Sequence, residues 1–153
     1  MKKIIIGSDH AGFRLKEKLK PYLKRKGLKI KDIGAYSTQS CDYPLIAYEL
    51  AKNISQGIYR TGILICSSGI GNSIVANKLS NVRAALCYNV QAARLSRQHN
   101  DSNVLVLGAA FVNQNKAKRI ISAWLNAPFL KGRHRRRLNQ LRRIEKRICR
   151  HNI

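Results

Sequence analysis

The stretch Gly62-Ile-Leu-Ile-Cys-Ser-Ser-Gly-Ile-Gly-Asn-Ser-Ile-Val-Ala-Asn-Lys78 is the most informative segment of the chain. Its apolar first part predicts a buried strand that ends at Cys66, followed by a small-residue turn and the start of a helix. Ligands of α/β proteins bind at this end of a strand, where turn and helix N–H groups attract anions. We expect the Cys66 thiol to have a lowered pKa there and to act as a nucleophile or base. The alternative is a structural cysteine, packed as a small apolar residue.

The rest of the chain alternates between short apolar runs and segments of helical periodicity. Strands are predicted at 4–6, 28–33, 61–66, 82–86 and 104–107, and helices at 13–26, 44–56, 72–79, 89–99, 114–126 and 133–148. This alternation predicts an α/β fold with a mostly parallel five-stranded sheet that helices cover on both faces. We expect a single domain over residues 1–153.

The net charge of this chain is unusual for an α/β domain. The sequence has 30 Lys and Arg but only 7 Asp and Glu, which gives a net charge of +23. Such a charge attracts nucleic acids, anionic membranes or phosphorylated metabolites, although a compositional bias of the source genome produces it equally well. The basic residues are densest at 131–150. The predicted last helix there has a narrow apolar stripe of Leu138, Leu141, Ile144 and Ile148. We expect this helix to be a dimer arm that docks on a second subunit.

The sequence lacks the signatures of several functional classes. The four cysteines and four histidines show no zinc-ligand spacing, so we expect no metal. The apolar run at 4–6 is too short for a signal peptide or a membrane span, which favours a cytoplasmic protein without a membrane partner. Gly7 to Gly12 has the glycine spacing of a P-loop but is followed by Phe13-Arg14 instead of Lys and Ser/Thr. Ile74 replaces the third glycine of a dinucleotide fingerprint, and no nucleic-acid motif is present.

Five segments, in order, resemble the family of type B ribose-5-phosphate isomerases. They are Gly7-Ser-Asp-His-Ala-Gly12, Asp42-Tyr43-Pro44, the Cys66 segment, Ser96-Arg-Gln-His-Asn-Asp101 and Gly132-Arg-His-Arg-Arg-Arg137. The resemblance implies a Rossmann-like α/β/α sandwich that works as a homodimer or a dimer of dimers, without a metal or cofactor. It implies interconversion of ribose 5-phosphate and ribulose 5-phosphate through an enediolate, in the non-oxidative branch of the pentose phosphate pathway.

The same resemblance implies roles for individual residues. Cys66 matches the base that moves a proton between C2 and C1, and His99 matches the residue that opens the furanose ring. The remaining matches are Asp9, His10, Tyr43 and Asn100 as sugar contacts, the amides of Ser67, Ser68, Gly69, Ile70 and Gly71 as an anion hole, and Arg133 and Arg137 as phosphate ligands. Imidazole titrates near neutral pH and guanidinium groups bind phosphate with a fork of donors, so both chemistries suit these roles.

Alternatives remain open at this stage. Asp9 could cap the first helix, His99 could satisfy carbonyls at a helix end, and Arg133 and Arg137 could belong to a solvated face. Family members commonly carry a phosphate-binding arginine after the fifth strand, where this chain has Ala110. Other functions are isomerisation of allose or galactose 6-phosphate, and nucleic-acid binding on an inactive isomerase fold. The chain retains Cys66 and His99, which argues against the inactive fold.

Overall fold

The computed structural model describes residues 2–151. The strands are β1 (Lys2–Ser8), β2 (Leu28–Asp32), β3 (Gly62–Cys66), β4 (Ala84–Leu86) and β5 (Val104–Gly108). The helices are α1 (His10–Arg25), α2 (Tyr43–Ser55), α3 (Ile70–Ala76), α4 (Val90–Asn100), α5 (Gln114–Asn126) and α6 (Arg133–His151). Strands and helices therefore alternate as the sequence predicts, and α5 has the predicted bounds.

The five strands form one sheet in the order β2-β1-β3-β5-β4, and every neighbouring pair is parallel. The predicted parallel α/β sheet is thus confirmed. From β1 the chain moves outward to β2 and then crosses to β3 on the other side of β1. This reversal opens a crevice between the carboxyl ends of β1 and β3, the position where open α/β sheets bind ligands.

Helices bury both faces of the sheet, so the central strands are continuous apolar runs. On one face Leu19 and Trp124 of α1 and α5 pack with Ile6, Ile63 and Leu105. The residues that pack together on the other face are Ile5, Leu50, Leu64, Ala76 and Val106. All five residues of β3 and of β5 are buried, as expected for inner strands of a parallel sheet.

Every element except α5 begins or ends one or more residues away from its predicted bounds, as α1, α3 and β4 illustrate. Helix α1 starts at His10 instead of Phe13, because the Asp9 side chain caps it by accepting a hydrogen bond from the Gly12 N–H at 2.9 Å. Helix α3 starts at Ile70 instead of Asn72, directly after the left-handed Gly69. Strand β4 is shorter than predicted, with three residues paired to β5.

Helix α6 comes after the elements that form the core, and few of its side chains are buried against them. Its buried side chains include His134 and Leu138, one helical turn apart. The rest of the predicted stripe is exposed, with Leu141 at 41%, Ile144 at 52% and Ile148 at 57% of their maximal area. The apolar stripe therefore lies on the surface of the chain and is available to a second subunit.

Candidate active site

Cys66 is the last residue of β3 and lies on the central part of the carboxyl edge of the sheet. The side chain is 5% exposed, and its Sγ accepts a hydrogen bond from the Gly69 N–H at 3.1 Å. This turn requires glycine, since Gly69 has a φ of 84° and an added Cβ would lie 2.4 Å from Leu86 Cδ1. The turn thus holds an N–H group against the sulfur.

The pKa of the Cys66 thiol is raised above its ordinary value, so the predicted lowering is wrong. Burial is the main cause, and the charge of Asp9 acts in the same direction. Hydrogen bonds from the backbone of Gly69, Asn72 and Ser68 lower the pKa but do not outweigh the burial. The sequence predicted both the buried strand and these N–H groups, and the lowered pKa was the wrong prediction because burial has the larger effect. The resting group is a thiol.

The turn after Cys66 is fastened to its neighbours by backbone and hydroxyl groups. The Tyr88 hydroxyl donates to the Ser68 carbonyl at 2.7 Å, and the Ala110 N–H donates to the Ser67 carbonyl at 3.0 Å. The Ile70 N–H donates to Ser68 Oγ at 3.2 Å. Of the amides predicted to form an anion hole, Ile70 and Gly69 thus already have acceptors on their own turn. A ligand oxygen must displace these acceptors or bind the remaining amides.

Asp9 and His10 lie where β1 ends and α1 begins, beside the Cys66 turn. Asp9 is 7% exposed and caps α1, so the capping alternative is confirmed for one of its oxygens. His10 Nδ1 lies 3.1 Å from the Cys41 carbonyl oxygen and 3.2 Å from the Cys41 amide nitrogen. The neutral ring with an unprotonated Nδ1 accepts from this amide, and the protonated ring donates to the carbonyl. Either way His10 is tied to the loop before α2.

Tyr43 begins α2 and its ring covers the start of α3. An added Cβ on Gly71 would lie 2.4 Å from Tyr43 Cζ, so only glycine lets the ring approach this closely. The ring is 38% exposed. Tyr43 therefore forms a wall of the crevice, next to Gly71 and the turn after Cys66.

His99 forms a second cluster with the start of α6. Its ring stacks on the ring of His134 with a centroid distance of 4.2 Å and an interplanar angle of 5°. Arg133 and Arg137 flank His134 on α6, and both are exposed. Desolvation lowers the pKa of His134, and the nearby His99 and the two arginines contribute in the same direction. His99, Arg133 and Arg137 therefore form one cationic cluster.

The two clusters lie at opposite ends of the strands, the Cys66 cluster at the carboxyl ends and the His99 cluster at the amino ends. Asn100 ends α4, and the segment after it reaches the amino end of β3, where the Asn103 carbonyl accepts from the Gly62 N–H at 2.9 Å. Cys66 lies at the carboxyl end of the same strand. Five residues of strand span about 13 Å, so one chain does not bring His99 to Cys66. The structure thus divides the predicted site residues into a Cys66 cluster and a His99 cluster.

Comparison with known proteins supports the same family as the motifs. Residues 4–141 match the family described as Ribose/Galactose Isomerase. The chain belongs to this family. It is 44% identical over 147 residues to ribose-5-phosphate isomerase B of Escherichia coli K12, covering 96% of this chain and 99% of the relative.

Solved structures of relatives share the fold of this isomerase. Ribose-5-phosphate isomerase B of Clostridium thermocellum superposes with a TM-score of 0.93 at 42% identity, covering 95% of this chain and 99% of that one. The enzyme of Mycoplasma genitalium with bound ribulose-5-phosphate gives a TM-score of 0.90 at 38% identity, covering 94% of this chain and 96% of that one. The α/β/α fold implied by the motifs is confirmed.

His134 is a residue of the His99 cluster that the sequence interpretation missed. It lies inside a run of arginines, where the basic character of the segment conceals it. Its spacing of four residues from Leu138 was the available signal, since two such positions share one helix face. The structure shows that this face packs on the chain and brings the His134 ring against His99.

Within residues 2–151 there is no group of three or more His, Cys, Asp or Glu side chains placed to hold a metal ion. The helices of the same described segment include none with the length and apolar character needed to span a membrane.

Proposed function

We propose that the protein interconverts ribose 5-phosphate and ribulose 5-phosphate, with Cys66 as the base that moves the proton between C2 and C1. The position of Cys66 carries this proposal, because a buried sulfur at the carboxyl edge of β3 lies beside turn N–H groups. These donors suit the enediolate oxygen, whose negative charge develops as the proton leaves carbon. Relatives that match nearly the whole chain are named for this reaction.

The other steps fall to groups that suit them chemically. His99 acts as the acid or base that opens the furanose ring before the proton transfer. Arg133 and Arg137, one helical turn apart and exposed, hold the phosphate dianion with forked donors. Asp9, His10, Tyr43 and Asn100 contact the sugar. Cys66 removes the C2 proton as a thiolate and returns it to C1, while a proton moves from the C2 hydroxyl to the C1 oxygen. The isomerisation is redox-neutral, so the enzyme needs no cofactor for it.

The working unit is a homodimer in which each site combines the Cys66 cluster of one copy with the His99 cluster of the other. The two clusters of one chain lie too far apart to contact one five-carbon substrate, since a strand of about 13 Å separates them. In a twofold dimer each copy gives its His99 cluster to the neighbour and receives one in return. The exposed residues Leu141, Ile144 and Ile148 of α6 supply apolar area for such an interface.

Mixing two inactive variants tests the shared site. Cys66→Ala and His99→Asn are each expected to lose most activity. After unfolding and refolding together at equal concentration, about half of the dimers combine one copy of each, and one of their two sites is intact. The mixture is expected to regain about a quarter of the wild-type activity. A mixture of His99→Asn with Arg137→Ala, both in the same cluster, serves as the control and gains nothing above its parents. If the first mixture also gains nothing, the site is not shared.

The reaction itself is tested with purified protein and a coupled assay on ribose 5-phosphate, with allose 6-phosphate and galactose 6-phosphate measured beside it. The five-carbon substrate is expected to have the highest kcat/KM. A preference for a six-carbon substrate keeps the reaction type and replaces the substrate, whereas no turnover of any sugar phosphate contradicts the function.

A further inference from the structure

Lys16 is a fully buried cation in a chain whose other basic residues mostly face water. Its side chain is 0% exposed, and its Nζ lies 2.5 Å from Asp32 Oδ1 and 2.7 Å from the Ala35 carbonyl oxygen. Burying an ammonium group costs several kcal/mol unless close partners compensate. The partners of Lys16 provide this compensation, since Asp32 is the last residue of β2 and Ala35 lies in the segment that leaves this strand.

That segment, residues 33–42, joins β2 to the Tyr43 wall of the crevice, and we name it the site loop. Asp32 stands at its start, and its Oδ1 also accepts from the Gly34 N–H at 3.0 Å. Lys20 binds the other oxygen, Oδ2, at 2.8 Å. Both lysines therefore pair with the same carboxylate, but only Lys16 also binds the Ala35 carbonyl.

The site loop contacts the last residue of β1 near its start and the first residue of α1 near its far end. The Ser8 N–H donates to the Gly34 carbonyl at 2.7 Å, and the Ala35 N–H donates to the Ser8 carbonyl at 2.5 Å. Ser8 is followed by Asp9 and His10, and His10 Nδ1 contacts the backbone of Cys41 near the far end of the loop. A shift of Ala35 would therefore also displace Asp9 and His10, which are proposed to contact the sugar.

We propose that Lys16 is a positioning residue for the isomerisation, and this rests on the function proposed above. Its ammonium group holds the Ala35 carbonyl, and through it the site loop, against the end of β1. Asp32 pairs with the buried ammonium group and orients it toward the Ala35 carbonyl. Lys16 does not touch the substrate, and it acts by fixing where Asp9 and His10 present their side chains.

The test compares two lysines that share one carboxylate. Lys16→Met keeps an unbranched side chain, one atom shorter, near the rings of Phe13 and Tyr36, whose centroids lie 5.7 and 5.3 Å from Nζ, and thioether sulfur packs well against rings. The variant is expected to raise KM for ribose 5-phosphate by about tenfold with a smaller change in kcat, since displaced contacts weaken binding. Lys20→Met is the control and is expected to stay within about twofold of wild type.

A second variant covers the case in which Lys16→Met folds poorly because Asp32 loses one of its two lysine partners. Lys16→Met/Asp32→Leu removes both charges, and replacing a buried ion pair by apolar residues is often neutral for stability. It is expected to regain the wild-type Tm while KM stays raised. A wild-type KM in either folded variant overturns the proposal, because the pair would then serve stability alone.

Hydrogen exchange provides a readout that needs no substrate. Amides of residues 34–41 are expected to exchange faster in Lys16→Met, which keeps Asp32, than in Lys20→Met, with the β3 amides unchanged in both. Equal exchange in the site loop overturns the role of Lys16. If the wild-type protein does not turn over ribose 5-phosphate, the proposed function fails, while the exchange result still decides whether Lys16 holds the loop.

Discussion

At the residue scale, the environment of Cys66 determines how the base becomes available. Burial raises the pKa of its thiol, so the thiolate fraction is small at neutral pH and grows as the pH increases. The kcat/KM for ribose 5-phosphate is therefore expected to rise with pH and to keep rising above pH ~8.5, the ordinary value for a thiol. Initial rates between pH 6 and 10 measure this, and a plateau already at pH 7 would contradict the raised pKa.

Replacement of Cys66 tests its role as base. Cys66→Ala is expected to lower kcat by roughly 10²–10⁴-fold, the usual scale for a general base. The small side chain fits the buried site, so circular dichroism and Tm should change little. Cys87 is a matched control, because it is also buried but packs in the core on the α1 and α5 face of the sheet. Cys87→Ala should leave kcat nearly unchanged. Near-wild-type turnover in Cys66→Ala would exclude Cys66 as the base.

The phosphate contacts are tested by neighbouring arginines of α6. Arg137 lies one turn from Arg133, on the same side of the helix, whereas Arg136 lines a separate surface depression with Arg135 and Arg143. A charged hydrogen bond contributes about 1.5–3 kcal/mol, so Arg137→Ala is expected to lower kcat/KM by roughly 10–100-fold, mainly through KM. Arg136→Ala removes the same charge and should have a smaller effect. If steady-state kinetics show equal losses of kcat/KM in the two variants, the specific phosphate contact is wrongly assigned to Arg137.

At the element scale, the order and type of every strand and helix could be predicted, because each has a clear apolar period and turn residues at its ends. Bounds failed where a side chain or a special backbone conformation decides them. Asp9 starts α1 three residues early by capping it, and Gly69 starts α3 two residues early by its left-handed conformation. Neither effect is visible in hydrophobic periodicity, which reports packing faces and not caps.

The exposed stripe of α6 gives the element-scale prediction. Ile144 and Ile148 lie one turn apart with more than half of their area exposed, and a dimer interface would cover them. Ile144→Asp/Ile148→Asp places two carboxylates in that interface and is expected to give monomers without activity. Asn139→Asp/Gln140→Glu adds the same charge on exposed polar positions of the same helix and should remain an active dimer. Light scattering measures the oligomeric state of both variants, and the coupled assay measures their activity. If Ile144→Asp/Ile148→Asp remains an active dimer, α6 is not a dimer arm.

At the scale of the whole molecule, the sequence motifs suggested candidate site residues but not their arrangement. A motif records which residues a family shares, whereas the chain direction decides at which edge they lie. Helix α4 returns from the carboxyl edge, so His99 ends near the amino end of β3 while Cys66 lies at its other end. The burial of Lys16 was equally invisible, because one lysine among many gives no signal in composition. Both facts depend on tertiary packing.

The same packing makes the stability of the molecule depend on acid pH in a predictable direction. Burial alone would raise the pKa of Asp32, but hydrogen bonds from Lys16 and Lys20 outweigh it and hold the pKa below the ordinary carboxyl value. A lowered pKa in the folded state means that the stabilisation is complete above the ordinary value and is lost as the pH falls through the folded value. The chain has only 7 acidic residues, so few other groups can produce an acid transition.

Thermal unfolding of an Asp32→Asn variant tests this dependence. The variant leaves Lys16 buried without its carboxylate, and its Tm at pH 7 is expected to fall on the order of 10 °C. Its Tm should then decline less than that of the wild type between pH 5 and pH 2, because the titrating group is gone. Asp42→Asn is the control, since Asp42 is exposed and its side chain makes no capping hydrogen bond to α2. That control should follow the wild-type curve. Parallel acid declines in Asp32→Asn and wild type would show that the carboxylate of Asp32 does not link the fold to pH.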